Sequence, residues 1–351
     1  MDKQPTSSNI VACVAVPGRV SIVIPAYNNG ATIAATIESC LAQTYHDVEI
    51  IVINDGSNDN TAAILDSFGT KITAIHQQNG GIANARNASV MAASGEFIAW
   101  MDADDLAESN RITTQQQILA RYDDIALVSS SFSAFSADHN ILKPNYELTY
   151  YSAPSQLGGL EKIYPYLLSA SDSAMSVRTG DCRKPLLQGN FVHPPTVMVR
   201  RDAFEKIGFF DTTLLYSSDY DWLLRASRVG HFAFIGHSLL RYRISAEQIS
   251  HKASAKIPLE TIRIIKKTLT TDPAIAYQYA RLLKIKIAEC WLDAAESAVK
   301  SSRISALQYW AHSAITRPAN ARLIRILGKI IVPKFAVKTV KKAVAYFSLR
   351  R

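Results

Sequence analysis

Glu96-Phe-Ile-Ala-Trp-Met-Asp102-Ala103-Asp104-Asp105 is an apolar, strand-like run that stops abruptly in three carboxylates. In extended backbone, residues two apart point to the same side, so Asp102 and Asp104 converge on one point. Two carboxylates at one sheet edge repel anions unless a cation sits between them. Oxygen-only ligands favour a hard ion, Mn²⁺ or Mg²⁺, which ordinarily shares its coordination with substrate phosphates. The motif therefore predicts a metal-assisted site for a phosphate-bearing substrate, set against the plainer alternative of a solvated acidic turn.

Rival motifs fail on spacing. An EF-hand counted from Asp102 needs Gly at its sixth place and Glu at its twelfth, where Ala107 and Thr113 stand. A dinucleotide fold needs Gly-x-Gly-x-x-Gly after its first strand, but the chain has Ile24-Pro25-Ala26-Tyr27-Asn28-Asn29-Gly30. No Gly-x-x-x-x-Gly-Lys-Ser/Thr occurs.

Working outward, strand and helix alternate over the first 130 residues. Val20–Pro25 reads as a strand, and Ile33, Ile37 and Leu41 mark one helical face. The β-branched run Ile50–Ile53 fits a strand buried on both sides. Asn58 or Asp59 caps a helix over Thr61–Phe68. A strand at Lys71–His76, a helix at Ile82–Ala93, a strand at Glu96–Met101 and another at Ile125–Ser131 follow. Such alternation implies parallel pairing and right-handed crossovers, with ligands beyond the strand carboxyl ends. Pro25–Asn28, Asn54–Ser57 and Asp102–Asp105 all fall there. Residues 132–190 are weakly periodic and read as excursion loops. Order returns at Thr196–Arg200 and in a helix over Asp219–Val229. Beyond Lys252 the pattern is helical, over Tyr277–Ala298, Ser305–Thr316 and Leu323–Val332.

The 351 residues suffice for one large domain plus an appendage. Cys13, Cys40, Cys182 and Cys290 are scattered without a Cys-x-x-Cys pair, which argues against a zinc site or disulfide scaffold. The first residues are polar, without a signal-peptide layout, and the apolar run that follows is too short to span a bilayer. These features predict a soluble or peripheral cytoplasmic protein. Charge is unevenly spread: Lys252–Arg351 holds 20 Lys/Arg against 5 Asp/Glu, net +15, whereas residues 1–251 hold 18 against 25, net −7. An acidic body and a basic tail imply different partners.

The ordered set of motifs resembles the inverting glycosyltransferases of family 2, which have the GT-A fold. Val20-Ser-Ile-Val-Ile-Pro25-Ala-Tyr27-Asn28 is similar to the family's opening strand and nucleotide loop, and Val52-Ile-Asn54-Asp55-Gly56-Ser57 to its second signature. Gln78-Asn79-Gly80-Gly81-Ile-Ala-Asn84-Ala-Arg86-Asn87 matches the third, and Gly95 to Asp105 the metal-binding segment. Gly189-Asn190, Arg200-Arg201 through Gly208-Phe-Phe-Asp211, and Ser218-Asp219-Tyr220-Asp221-Trp222 resemble the acceptor half. The resemblance implies an α/β, mostly parallel, Rossmann-like sheet with flanking helices over residues 19–250. Residues 19–130 would form the nucleotide-sugar half and 131–250 the acceptor half, with a basic helical region at 251–351.

It further implies that Pro25, Ala26, Tyr27, Asn28, Asp55, Arg86, Asp102 and Ala103 bind the nucleotide-sugar. Asp104 would be the direct metal ligand, with Asp102 near ribose or a coordinated water. Asp55 can accept from a base imide N–H, which suits UDP; its alternative is helix capping. Asp105 is expected to cap the next helix. Asp219 is the expected general base, although Ser218 replaces the family's usual Glu before it, and Asp221 is its competitor. Asn190, Asp221, Trp222, Arg243 and His251 are candidate acceptor or phosphate contacts. Trp222 beside Leu223 and Leu224 also fits a core position, while His193, His237 and His251 stand between the downstream His that some relatives use near the donor phosphates or metal and plain surface polar residues. The implied partners are a nucleotide-diphospho-sugar and a glycan or lipid-linked saccharide acceptor of lipopolysaccharide or capsule type. A basic amphipathic helix over Lys334–Phe347 fits an anionic membrane surface or packing on the body. No nucleic-acid-binding pattern is seen. The alternative functions are a sugar nucleotidyltransferase and a non-catalytic carbohydrate- or membrane-binding relative.

Overall fold

The computed structural model describes residues 15–136, 140–168, 176–244, 256–318 and 320–331. Its strands are β1 (Val16–Ala26), β2 (Val48–Asp55), β3 (Thr73–Gln77), β4 (Gly95–Trp100), β5 (Leu106–Ala107), β6 (Ile125–Phe135), β7 (Ile141–Lys143), β8 (Tyr166–Leu168), β9 (Val177–Gly180), β10 (Met198–Arg200) and β11 (His231–Arg243). Between them run α1 (Ile33–Leu41), α2 (Thr61–Ser67), α3 (Ile82–Ala92), α4 (Arg111–Arg121), α5 (Glu147–Tyr150), α6 (Ser152–Gln156), α7 (Leu160–Ile163), α8 (Arg183–Gln188), α9 (Arg201–Ile207) and α10 (Ser218–Ala226). Four helices close the chain: α11 (Lys256–Thr271), α12 (Pro273–Ala298), α13 (Arg303–Thr316) and α14 (Arg322–Ile331).

The strands form one sheet in the order β3-β2-β1-β4-β10-β6-β11-β9-β8, with β5 added to β11 and β7 to β6. From β3 to β4 every pairing is parallel, as the helix-connected repeats demand. Ile50 to Ile53 are buried throughout, because α3 covers β2 on one side and α1 and α2 contact it as well. Their branched side chains suit a strand that never meets water. Gly95 lets β4 approach β1, since a Cβ there would lie 2.6 Å from Ser21 Oγ and 2.7 Å from Arg19 O.

The second half departs from the expected pattern. β10 runs antiparallel between β4 and β6, and β9 and β8 extend the far edge antiparallel, so the sheet is mixed. Residues 132–190, expected as loops, contain β7, β8, β9 and four short helices. Helices of four to six residues make less than two turns and strands of three or four at most two alternations, too few for periodicity to register. β3 starts at Thr73, after a 3₁₀ turn over Gly69–Lys71, two residues later than expected.

The chain divides into two compact units, residues 1–246 and 247–351. In the second, α12 packs with α11, α13 and α14. Its core joins Leu292, Ala295, Ala298, Ala306, Leu323, Ile326 and Ile330. Alanines at the contact let the helix axes approach closely. α12 begins four residues earlier than its periodicity suggested, with Pro273 at its first position and Asp272 Oδ1 accepting from Ile275 N at 3.0 Å. No helix among the described residues is long and apolar enough to cross a membrane. The expected tail helix over Lys334–Phe347 lies outside the described residues.

Candidate active site

The loops at the carboxyl ends of β1, β2 and β4 meet on one side of the sheet. After β1, Asn28 takes a left-handed conformation (φ 55°), unusual for a residue with a side chain and most tolerable for Asn. The conformation is held by the loop after β2: Asn28 N donates to Ser57 Oγ and Asn28 Oδ1 accepts from Asn58 N, both at 2.9 Å. Asp59 Oδ2 accepts from Gly30 N, while its Oδ1 takes Thr61 N at the start of α2. The N-cap position itself is Asn60, without a side-chain cap bond, so neither Asn58 nor Asp59 caps α2 as expected; Asp59 braces the turn before it. Pro25 pairs with Ile53 and Ala26 with Asn54 inside the sheet, so they set the backbone path, while Tyr27 stands 49% exposed.

Asp55 is engaged differently from expectation. Its buried carboxylate accepts from Gln77 Nε2 (2.7 Å), Gly80 N (2.9 Å) and Gly81 N (2.8 Å). It neither caps α2 nor stands open; it orders the Asn79–Gly81 turn that launches α3. Gly56, at φ +72° with a would-be Cβ 2.7 Å from Asn79 N, lets the two turns nest. One acceptor position remains on Oδ2.

The Asp102–Asp105 turn is tied from three directions. Thr32 and Thr36 of α1 donate their hydroxyls to Ala103 O (2.9 Å) and Asp105 O (2.8 Å). Arg243, at the end of β11, donates from Nε to Asp104 O (2.8 Å) and from its backbone N to Asp105 Oδ1 (2.9 Å). Below, the buried Arg111 guanidinium donates to Trp100 O at 2.7 Å. Asp105 is therefore a fully buried anchor and not the cap of α4, whose N-cap position is Asn110. Burial first, and the neighbouring Asp102 second, push the Asp104 carboxyl up to about 6. Burial, then Asp104 and Asp102, raise Asp105 as well.

Arg86, in the second turn of α3, is buried with Nη2 3.4 Å from Asp102 Oδ1 and its Cζ 5.6 Å from the Phe210 ring centroid. Asp219, in the first turn of α10, is partly buried; burial raises its pKa and Arg86 opposes the rise. Asp102 acts on it in the opposite sense to Arg86, so the three charges are linked. Asp221 separates from Asp219 by orientation: it is buried against Arg225 (Oδ2–Nε 3.0 Å), whose other nitrogens donate to Ile207 O and Phe209 O. Trp222 is fully buried, donates Nε1 to Gly208 O at 2.8 Å and packs against Trp100 and Phe210. As acceptor contacts Asp221 and Trp222 are thus corrected to structural roles: neither presents a free face to a ligand. Asn190 is half-buried and its Oδ1 accepts from Val192 N at 3.0 Å. His251 lies outside the described residues, and His237 is exposed.

Three further side chains shape the site. Asn87, the last residue of the third motif, clamps Phe210 from both sides, Nδ2 donating to Phe210 O (3.0 Å) and Oδ1 accepting from Phe210 N (2.8 Å), across 123 positions. His193 is not at the surface: it is buried and stacked on Phe132 at 4.3 Å. Tyr151 places its hydroxyl 3.3 Å from His193 Nδ1. Burial dominates the rise in its pKa, with Asp219 and Asp102 among the charges that add to it. No local pattern marks Tyr151.

Among the described residues no three His, Cys, Asp or Glu side chains gather into a cage sufficient for an ion. Asp102 and Asp104 are instead a partial, oxygen-only donor set, with Asp102 raising its neighbour. That chemistry fits Mn²⁺ or Mg²⁺ completed by substrate phosphate.

An acidic turn and an arginine beyond the carboxyl ends of a 3-2-1-4 parallel sheet define a GT-A type of α/β scaffold. The sequence profile described as glycosyl transferase family 2 matches residues 21–208, and the chain belongs to that family. An uncharacterized glycosyltransferase of Rickettsia prowazekii is 32% identical over 234 residues, 67% of this chain and 66% of that protein. One from Rickettsia bellii is 31% identical over 238 residues, 67% of this chain but 31% of its own length. The chain thus spans less than two thirds of these relatives. GlyG of Streptococcus pneumoniae is 28% identical over 233 residues, 64% of this chain and 70% of GlyG. Among solved structures, S. aureus TarS 1–349 in complex with UDP-GlcNAc superposes with a TM-score of 0.55 at 16% identity, over 91% of this chain and 82% of TarS. Mannosyltransferase PcManGT of Pyrobaculum calidifontis, in complex with GDP-Man and Mn²⁺, gives 0.50 at 15% identity, over 89% and 86%. At those identities the likeness concerns the fold.

Proposed function

We propose that the chain is a metal-dependent, inverting glycosyltransferase that takes a UDP-sugar as donor. The observation that carries this reading is Arg86: one buried guanidinium 3.4 Å from Asp102 and near enough to Asp219 to oppose its protonation. On this reading the donor diphosphate lies on the Asp102–Asp104 side, and Asp219 meets the acceptor hydroxyl. Its raised pKa suits a base that must take a proton. Asp219 receives the acceptor hydroxyl proton as that oxygen bonds to the anomeric carbon. The bond from that carbon to the diphosphate oxygen breaks, and its electron pair leaves with the nucleoside diphosphate. Attack opposite the leaving group inverts the anomeric centre.

Asp102 and Asp104 would hold the divalent ion, which neutralises charge on the departing diphosphate. Tyr27 offers an exposed ring for the base, and Asp55 keeps one oxygen position for an imide N–H. Nucleotide-sugar complexes of the structural neighbours support the donor class. A growing surface glycan or lipid-linked saccharide is the acceptor this reading favours, met at the inner face of the membrane. Two features support that placement: the net charge of +15 over residues 252–351, and α14, where Ile324 and Ile331 are 81% and 64% exposed beside Arg325 and Lys329. Sedimentation with anionic but not neutral vesicles tests it.

Incubation with UDP-sugars and Mn²⁺ decides the chemistry. Release of UDP, lost in Asp219→Asn and with chelator, is the expected result. Release of pyrophosphate from UTP and a sugar phosphate would make the protein a nucleotidyltransferase instead.

A further inference from the structure

Asp105 carries the heaviest mooring of the acidic turn, yet one of its oxygens is unspent. Its N–H reaches Asp102 O at 3.3 Å, its carbonyl takes Thr36 Oγ1 and its Oδ1 takes Arg243 N. Oδ2 is buried without a hydrogen-bond partner. His193 Nε2 is in the same condition and stands 4.0 Å from it. Two buried, complementary polar atoms without other hydrogen-bond partners are a costly arrangement unless they serve one another.

His193 enters the site from residues far along the chain, just before the 3₁₀ turn Pro194–Thr196. The ring is 6% exposed and sandwiched: Phe132 stacks on it at 4.3 Å with 22° between planes, and Tyr150 and Tyr242 meet it edge-on. Packing of that kind fixes a ring's orientation. Burial, with Arg86 nearby, lowers the imidazole to about 3, so it is neutral and carries one proton. Nδ1 faces the Tyr151 hydroxyl at 3.3 Å, and that hydroxyl is also 3.2 Å from Val192 O. If Tyr151 donates to Nδ1, the ring proton sits on Nε2 and points at Asp105. The Tyr151 hydroxyl at 3.3 Å thus favours the tautomer that aims the Nε2 proton at Asp105 Oδ2.

We propose that His193 is a positioning residue for the ion site: through Asp105 Oδ2 it locks the Asp102–Asp105 turn so that Asp104 presents its carboxylate in one orientation. The inference rests on the metal-dependent reading above. At 4.0 Å the pair is about 1 Å beyond hydrogen-bond length, and such contacts tighten when the site is loaded. Tyr151, whose hydroxyl feels both Asp219 and Asp102, extends the same chain toward the acceptor side.

The test is Mn²⁺ binding, read from the free-ion electron paramagnetic resonance signal, with the full chain saturated in UDP. Wild type is compared with His193→Gln, His193→Leu and Tyr151→Phe. Gln can place a donor where Nε2 stands, and Leu cannot. His193→Gln stays within about threefold of wild type while His193→Leu weakens Mn²⁺ about tenfold or more. Metal-free UDP affinity is unchanged in both. Equal affinity in wild type and the Leu variant, or equal loss in Gln and Leu, overturns the proposal. If the Leu variant does not fold, Gln and Tyr151→Phe decide: wild-type affinity in Gln with a measurable weakening in Tyr151→Phe supports it, and any other pair of results overturns it. Wild-type protein that binds no Mn²⁺ sinks the metal-dependent reading itself; Mn²⁺ bound by wild type and lost in Asp104→Asn, but kept in His193→Leu, sinks this inference alone.

Discussion

The two halves of the sheet-bearing unit assemble the same site by opposite means. In residues 15–130 each candidate sits at the end of its own strand, and the loops are laced to their sequence neighbours: Asn28 to Ser57 and Asn58, Asp55 to Gly80 and Gly81. In residues 131–244 the contributors are gathered over long chain distances: Phe210 clamped by Asn87, Arg243 on Asp104 and Asp105, His193 facing Asp105. Parallel strands must all end on the same side, so the first half converges by topology. The antiparallel insertion of β10 and the edge strands give the second half no such guarantee, and side-chain contacts do the aligning.

The sharpest way to break that contrast lies in the two carboxylates of α10. Asp219→Asn should lower turnover about 10³-fold with UDP and Mn²⁺ binding intact, as for loss of a general base. Asp221→Asn should leave turnover near wild type and lower the melting temperature, because it unpairs Arg225. A reversed outcome in UDP-release assays would assign the base to the wrong carboxylate.

Next in size, Asp104→Asn should weaken Mn²⁺ at least about 100-fold in the presence of UDP, as measured by calorimetry. The same change carries a pH signature. Asp104, Asp105 and Asp219 all titrate above their unfolded values, so the native state holds protons that the unfolded chain has released. Their contribution to stability therefore declines as pH rises, and for Asp104 the decline runs from about 4 toward about 6. In Asp104→Asn, thermal melts of the metal-free protein across that window should decline less steeply. Metal uptake runs the other way: it should fall in wild type as pH drops through about 6, since a protonated Asp104 is no ligand.

Asn87→Ala probes the long-range clamp and should cost about 2 kcal/mol in denaturant unfolding, for two lost buried hydrogen bonds. A loss near zero would show that Phe210 is held by its ring contacts with Trp100 and Trp222 alone. The smallest effect belongs to the locally built half: Tyr27→Leu should weaken UDP about tenfold through lost ring stacking, with stability unchanged because the ring is half exposed.

Much of the nucleotide side was legible before any coordinates. The four parallel strands, the helices between them and the acidic turn follow from the runs at Val20–Pro25, Ile50–Ile53 and Glu96–Met101, whose periods are long enough to read. Asp55 shows the limit even there. Its position was evident, but its occupation by Gln77, Gly80 and Gly81 depends on how the next turn folds back. Asp105 was expected to cap a helix because the three carboxylates of one turn look alike in sequence; only burial distinguishes them. The pieces at 141–168 are too short to show a period, and so Tyr151 and the aromatic set around His193 went unseen.

By itself the sequence determined the alternation that forces strand ends to one side, the presence of two carboxylates two residues apart, and the uneven charge of the two units. Those properties depend on residues close together in the chain, where dihedral preference and periodicity act directly. The tertiary structure alone decided that Arg225 occupies Asp221, that Gly80 and Gly81 occupy Asp55, and that His193 lies 4.0 Å from Asp105. Such outcomes depend on which side chains lose water and which neighbours arrive from distant positions, and no local pattern encodes a distance across 88 or 123 residues.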